Sequence, residues 1–180
     1  VLAIFWYFRE DFSSFFKRNN QQLFERIFSN RLNKSILLGT SSILFIGAGI
    51  KLYVPDFTSS FIRSNLFIGI VSIIMAFVML VAETSSNKGI TISNHTLNNS
   101  FLIGLSQSLA IIPGVSRSGI TISVAMLLGW RRVDAAKFSF LLGIPAITLA
   151  ALVELVSSFN SPTIILFKPL ILGLISAFIT

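Results

Sequence analysis

Residues 101–129 read FLIGLSQSLAIIPGVSRSGITISVAMLLG, and this stretch decides the fold. It is apolar apart from small polar side chains, and Arg117 is its only charged residue. Pro113 and Gly114 interrupt it near the middle, because proline removes a helical hydrogen bond and glycine loosens the backbone. Each half has about 12 residues, too few to cross ~30 Å of hydrocarbon at 1.5 Å per residue. The stretch therefore predicts a re-entrant hairpin over about 101–129, with its tip inside the protein.

The charges that flank this stretch indicate that the chain returns to the side from which it entered. Residues 84–100 before it are polar, and residues 130–137 after it read WRRVDAAK. A basic segment beside an aromatic residue is typical of a cytoplasmic membrane interface. A hairpin keeps both flanks in the cytoplasm, whereas a single crossing, the alternative, would place the second flank outside.

The composition indicates an integral membrane protein. Of 180 residues, 53% are hydrophobic and only 12% are charged, where soluble domains carry about 25% charged residues. The net charge of +7 is explained by membrane topology, and no basic stretch has the interleaved aromatics of a nucleic-acid surface, so nucleic acid is excluded as a partner. The absence of cysteine and the single histidine exclude disulfides, thiolate metal sites and multi-histidine clusters.

Apolar runs over 36–53, 66–82 and 138–156 predict membrane-spanning helices, and another begins at Lys168. The fold class is therefore all-α, a polytopic transmembrane helical protein, in one integral membrane domain over 1–180. Residues 1–8 are interpreted as the end of a preceding helix. Residues 9–35 form a basic cytoplasmic loop, either solvated or lying on the membrane as an amphipathic segment. We expect a fragment truncated at both ends.

The chemistry of residues 113–121 predicts an anion site. A helix that begins near Ser118 would direct its N-terminal amides at the tip, and Arg117 adds a two-pronged donor that fits a phosphate. A lone arginine in an apolar segment costs at least ~2.5–3.5 kcal/mol, so it needs a partner or a function. The structural alternative is an arginine paired with a carboxylate. Gln107 is either a site ligand or an interhelical hydrogen-bonding residue, and His95, in a polar loop, is expected to have no role.

The strings QSLAIIPGVSRSGITI (107–122) and AAKFSFLLGIP (135–145) resemble the undecaprenyl-diphosphate phosphatases, the bacitracin-resistance family. This resemblance implies hydrolysis of undecaprenyl diphosphate to undecaprenyl phosphate and phosphate, which recycles the lipid carrier for peptidoglycan synthesis. It implies two inverted repeats with paired re-entrant hairpins, in a bacterial cytoplasmic (inner) membrane, and leaves a homodimer open. The implied catalytic residues are Arg117, Ser116 and Thr121, and the implied substrate-binding residues are Pro113, Gly114, Ser118, Gly119 and Gln107.

The family also implies a divalent cation, Mg²⁺ or Ca²⁺, for which this sequence supplies no ligands. The family's other signature, a glutamate-bearing helix followed by a Pro-Ile-Ser-Ser-x-Gly-His run, does not occur in residues 1–180. Its acidic residues and histidine are expected upstream, and His95 does not match it. Residues 1–180 alone are therefore expected to be inactive. Ser116 is the weaker candidate nucleophile, because no base accompanies it.

Two other functions use similar features. A transporter or flippase for a phosphorylated lipid or anion also uses broken helices that direct their termini at an anion. Turnover separates it from a phosphatase. The phosphatidic-acid-phosphatase superfamily is disfavoured, because its motifs need more histidine than this chain has.

Overall fold

The structure is a computed structural model that describes residues 31–53, 61–84, 89–159 and 167–179. These residues form α-helices and one 3-10 helix, and no β-strand occurs within the described ranges. The helices are α1 (Arg31–Tyr53), α2 (Asn65–Thr84), α3 (Leu97–Gln107), the 3-10 helix (Ser108–Ile111), α4 (Arg117–Leu127), α5 (Arg132–Phe159) and α6 (Phe167–Ile179). The predicted all-α class is confirmed.

The chain divides into two compact units, and each is described by itself. Phe24–Gly143 forms one unit and contains α1 to α4 with the first turns of α5. Val1–Leu23 with Ile144–Thr180 forms the other, where Thr148 donates its hydroxyl to the Ile144 carbonyl at 2.8 Å. The expectation of a single domain over 1–180 stays a prediction.

In the part of the chain that the structure describes, three helices are long and apolar enough, by length and composition, to span a membrane. They are Arg31–Ile50 within α1, Asn65–Thr84 and Arg132–Val153 within α5. They coincide with the predicted spans over 36–53, 66–82 and 138–156, and the last contains Pro145. The helix predicted to begin at Lys168 is α6, of 13 residues.

Two helices begin earlier than predicted, because their first turns consist mainly of polar residues. Residues 31–35 belong to α1 and not to the preceding loop, and residues 97–100 belong to α3. Thr96 explains the second case, because its side chain caps α3 by accepting from the Asn99 amide at 3.2 Å. The predictions for residues 1–8 and for most of the loop 9–35 lie outside the described residues.

Residues 97–127 form a helical hairpin whose two arms are α3 with the 3-10 helix and α4. The arms pack against each other along their length. At the open end, the amides of Gly89 and Ile90 donate to the Gly129 carbonyl, and the Arg131 amide donates to the Ile90 carbonyl at 2.9 Å. We call residues 89–95 and 129–132 the neck. The chain therefore leaves and returns at one place, as a hairpin requires; its location in a membrane stays a prediction.

Gly129 closes α4 at the neck. Its φ of 90° lies in the left-handed region that favours glycine. The Trp130 amide donates to the Ala125 carbonyl and the Gly129 amide to the Met126 carbonyl, at 3.0 and 2.9 Å. This is a Schellman motif, in which the hydrophobic residue after glycine packs back on the last turn. It turns Trp130 into the core, where its side chain is fully buried.

The hairpin lies alongside α1 and α2, and each arm runs in the same direction as one of them. Three contacts mark the course of α1 beside α3: Ser35 with His95, Gly39 with Gly104, and Gly47 with Ile111. Three more mark the course of α2 beside α4: Ile68 with Gly114, Met79 with Gly119, and Glu83 with Arg132. Gly39 and Gly104 touch through their backbones, because neither has a side chain to separate the helices.

These contacts give the depth of the hairpin. The neck is level with the Thr84 end of α2, where Ala82 and Trp130 share one core. The turn after the 3-10 helix is level with Ile68 and Ser72. At 1.5 Å per residue, that is about 18–24 Å along a helix of about 30 Å. The hairpin therefore extends past the midpoint of α2 and ends nearer to Asn65.

Candidate anion-binding site

The turn that joins the two arms is set by Pro113 and Gly114. The Val115 amide donates to the Ile112 carbonyl at 3.1 Å, which closes a four-residue turn. Gly114 has a φ of 96°, while Pro113 before it is restricted to a φ near −65°. Proline at the second position and a positive φ at the third define a type II turn. We call residues 112–118, the turn with the first residues of α4, the tip.

Helix α4 begins directly after this turn, and Ser116 caps it. The Ser116 Oγ accepts from the Gly119 amide at 3.2 Å, and the Ser116 carbonyl accepts from the Ile120 amide at 2.8 Å. The amides of Arg117 and Ser118 have no acceptor within the described residues. Ser116 and Ser118 are exposed, and the hydroxyl proton of Ser116 remains available as a donor. The helix start therefore presents amide and hydroxyl donors to an anion.

Arg117 is the first residue of α4 and is half-buried. Its Nη1 donates to the Gly143 carbonyl of α5 at 3.1 Å. In the part of the chain that the structure describes, no carboxylate forms an ion pair with it, so the structural alternative finds no support there. A guanidinium has five N–H donors, and a single carbonyl uses one of them. The carbonyl orients the side chain and leaves its charge available to a ligand.

Thr121 shares a helical face with Arg117, as its spacing of four residues predicted. Both side chains contact α5. Thr121 Oγ1 lies 2.6 Å from Ser139 Oγ, and Arg117 donates to the Gly143 carbonyl. Thr121 is only 1% exposed, and its hydroxyl also bonds the Arg117 carbonyl at 3.0 Å. Its hydroxyl is thus committed to the protein interior. A catalytic role for Thr121 stays a prediction.

Gln107 lies at the end of α3 and is fully buried. Neither its Oε1 nor its Nε2 has a hydrogen-bond partner among the described residues, and the Oγ of the next residue, Ser108, is also buried without one. Gln107 therefore does not form, with any helix in the described ranges, the interhelical hydrogen bond that the sequence left open. A role as a substrate ligand stays a prediction for a side chain that has no exposed surface.

The predicted site residues therefore separate into two groups. The tip and the start of α4 bring together Pro113, Gly114, Ser116, Arg117, Ser118 and Gly119 within one short segment. Thr121 lies one turn further along α4 and faces inward, and Gln107 is buried in the other arm.

Sequence reasoning missed three residues that form hydrogen bonds with predicted site residues. Ser72 bonds Gly114, Gly143 bonds Arg117, and Ser139 bonds Thr121. Ser139 and Gly143 are four residues apart, as Arg117 and Thr121 are. Two such pairs on neighbouring antiparallel helices can face each other, so this spacing was a usable signal. Ser72 interrupts an otherwise apolar helix, which was the signal for it.

His95, expected to have no role, is a core residue. It is 1% exposed; one ring nitrogen lies 2.7 Å from Ser35 Oγ and the other 2.7 Å from the Ile92 carbonyl. Its ring packs on Trp130 and Phe138 at 5.2 and 5.9 Å between centroids. Burial lowers the pKa of His95 below its usual value; the Ile92 carbonyl opposes this and the charge of Arg31 adds to it. The loop is polar in sequence, but its histidine packs in the core at the neck.

The described part of the site does not fit a divalent cation by itself. No group of three histidine, cysteine, aspartate or glutamate side chains occurs within the described ranges. The groups around the tip are a guanidinium, backbone amides and hydroxyls, which attract anions and repel a cation. Mg²⁺ or Ca²⁺ therefore stays a prediction for which these residues supply no ligand set.

Comparison with known proteins identifies the family. A family model described as bacitracin resistance protein BacA matches residues 1–180. The undecaprenyl-diphosphatase of Prochlorococcus marinus (strain MIT 9515) is 54% identical over 178 residues, covering 99% of this chain and 67% of that protein. The undecaprenyl-diphosphatase of Synechococcus sp. (strain RCC307) is 42% identical over 180 residues, covering 98% of this chain and 63% of that protein.

The chain spans about two thirds of the length of these relatives. The family match covers the same residues that form the membrane-length helices, the hairpin and its tip, and the similarity to the relatives extends over nearly all of the chain. The chain therefore belongs to the bacitracin resistance protein BacA family.

Proposed function

We propose that this membrane protein hydrolyses undecaprenyl diphosphate to undecaprenyl phosphate and inorganic phosphate, and so recycles the lipid carrier for peptidoglycan synthesis. One observation carries the proposal beyond the names of the relatives. At the tip, a half-buried guanidinium without a carboxylate partner among the described residues adjoins two helix amides that have no acceptor. This is a site for a multiply charged oxyanion such as a diphosphate.

The described residues supply binding and charge neutralisation, which dominate catalysis of phosphoryl transfer. Arg117 and the amides of Arg117 and Ser118 hold the diphosphate oxygens, and the hydroxyls of Ser116 and Ser118 add donors. A water oxygen bonds to the terminal phosphorus and the bridging P–O bond breaks, so undecaprenyl phosphate leaves with the bridging oxygen. Within the described ranges, no carboxylate or imidazole is hydrogen-bonded to Ser116, which favours water as the nucleophile. When bound, a divalent cation would neutralise charge on the diphosphate.

The same proposal places the hairpin in a bacterial cytoplasmic membrane as a re-entrant element of a multi-pass protein. The neck carries Arg131 and Arg132, both exposed, and basic residues favour the cytoplasmic side. The tip lies about 18–24 Å from the neck end of α2, which supports a site nearer to the outer face. Pairing with a second hairpin, and a homodimer, remain predictions from the family.

The experiment measures phosphate release from undecaprenyl diphosphate by the purified full-length protein in detergent, and every variant below is made in that protein. We expect Arg117→Ala to lower the rate on the order of 100-fold or more, because a charged donor to the reacting group is lost. The control is Arg63→Ala, since Arg63 is an exposed arginine that lies outside the hairpin. An undiminished rate in Arg117→Ala would contradict the site. Binding of the lipid without phosphate release by the wild-type protein would favour the transporter or flippase.

A further inference from the structure

We propose that Ser72 of α2 is a positioning residue, which holds the tip in the conformation that binds the diphosphate. The inference rests on the proposed function and adds to it a residue outside the family signatures quoted above. Ser72 is the only polar side chain in α2 between Asn65 and Glu83. A serine side chain gains little hydrophobic free energy in an apolar helix. Its role is therefore expected in the hydrogen bond that its hydroxyl forms.

The tip lies directly against α2. A Cβ at Gly114 would come within 2.8 Å of the Ile68 carbonyl oxygen and 3.0 Å of the Val71 Cβ. Only a residue without a side chain permits this approach. The turn is therefore seated on one surface of α2, and Ser72 lies at the edge of that seat.

Ser72 forms a hydrogen bond between α2 and the turn. Its Oγ donates to the Gly114 carbonyl at 3.4 Å. Among the described residues, no other side chain from outside the hairpin forms a hydrogen bond with residues 112–116. The bond is long for a hydroxyl donor, so its contribution is small and we expect effects of a few fold.

The hydrogen bond from Ser72 affects the orientation of a carbonyl dipole near the proposed anion site. It fixes the oxygen of the Gly114–Val115 peptide, while the N–H of the same peptide donates to the Ile112 carbonyl. Glycine has more backbone freedom than other residues, so without the bond to Ser72 the Gly114–Val115 peptide can rotate about the Gly114 backbone. A carbonyl tied to α2 cannot turn its negative end toward an anion held by Arg117 and the amides of α4. Ser72 thus acts through Gly114 and does not touch the substrate.

The test compares Ser72→Ala, Ser72→Thr and the matched control Ser41→Ala. Ser41 is a hydroxyl on α1 that bonds only the Leu38 carbonyl of its own helix. We expect Ser72→Ala to raise KM about threefold to tenfold, with kcat within about twofold and Tm unchanged, because the reacting groups stay in place. Ser72→Thr keeps the hydroxyl and should restore KM, and Ser41→Ala should leave KM unchanged. Equal KM in Ser72→Ala and the wild type would overturn the proposal, as would a rise that threonine does not reverse.

A second measurement does not need turnover. We expect hydrogen–deuterium exchange at the amide of Val115, which donates to the Ile112 carbonyl, to be faster in Ser72→Ala than in the wild type and in Ser41→Ala. Unchanged exchange contradicts the role of Ser72 even in an active enzyme. Faster exchange in a protein that releases no phosphate supports the role of Ser72 and sinks the proposed function.

Discussion

The neck and the tip are the two ends of one hairpin, and they differ in how their polar groups are hydrogen-bonded. At the neck, backbone groups pair across the chain, and His95 bonds through both ring nitrogens inside an aromatic cluster. At the tip, the amides of Arg117 and Ser118 have no acceptor among the described residues, and Arg117 has a single carbonyl partner. Hydrogen-bonded polar groups stabilise a fold, whereas donors without an acceptor at the start of a helix are available to an anion. The neck therefore stabilises the hairpin, and the tip is the part that we propose binds the diphosphate.

The largest effect expected at the neck is on stability. Trp130→Ala removes a fully buried ring that packs on His95 and Phe138, and such a truncation costs about 3–5 kcal/mol. We expect a large fall in Tm in a thermal-unfolding assay in detergent, with KM unchanged in the protein that remains folded. Trp130→Phe is the control, because it keeps a ring and removes an N–H that has no bonding partner within the described residues. An unchanged Tm in Trp130→Ala would show that the neck does not hold the hairpin.

At the tip, Gly114→Ala is expected to have the largest effect after Arg117→Ala, and the effect is on the rate of phosphate release. Gly114→Ala places a side chain at a φ of 96° and at 2.8 Å from the Ile68 oxygen. The turn must shift, and a shift of about 1 Å near the reacting groups costs up to about 100-fold in rate. Phosphate release should fall on the order of 10-fold to 100-fold, with a smaller change in Tm than in Trp130→Ala. Gly69→Ala is the control, since no atom lies within 4 Å of its added Cβ. Equal rates in the two variants would refute the assigned turn.

The neck should respond to pH where the tip does not. Burial lowers the pKa of His95 in the folded protein, so below about pH 6.5 the unfolded chain binds a proton that the folded protein excludes. Stability is thus complete above that pH and is lost as pH falls through the folded pKa. We expect a lower Tm at pH 5 than at pH 7.5 and a smaller difference in His95→Phe, which has no imidazole at this position. The same pH dependence in both proteins would exclude His95 as its source.

The smallest effect is expected inside the α3 arm. Gln107 is fully buried and its amide forms no hydrogen bond among the described residues, so Gln107→Leu removes an unpaired polar group and keeps a similar volume. Such replacements are nearly neutral or stabilising. We expect Tm to stay the same or rise. A clear fall in Tm would reveal an internal water or another bonding partner. A rise in KM would support the sequence prediction that Gln107 contacts the substrate.

The sequence predicts those parts of the fold that depend on local signals. Apolar length located the spans, and Pro113 with Gly114 located the break, because backbone chemistry acts on its own neighbours. The helix predicted near Ser118 begins at Arg117, since Ser116 caps it. The Gly143 carbonyl, the burial of His95 and the seat of the tip on α2 depend on how helices pack. A single sequence carries no direct signal for such contacts, beyond hints such as the isolated Ser72.

The contact between Arg117 and Gly143 has a consequence for biosynthesis. The two residues are 26 positions apart, and the carbonyl is made after the arginine. At about 5–20 residues per second, the ribosome needs about 1–5 s to make the intervening chain. Trp130 of the neck is made halfway through that interval, and the carbonyl that orients the guanidinium is made only at its end. The membrane-insertion machinery therefore receives the charge before the protein can accommodate it.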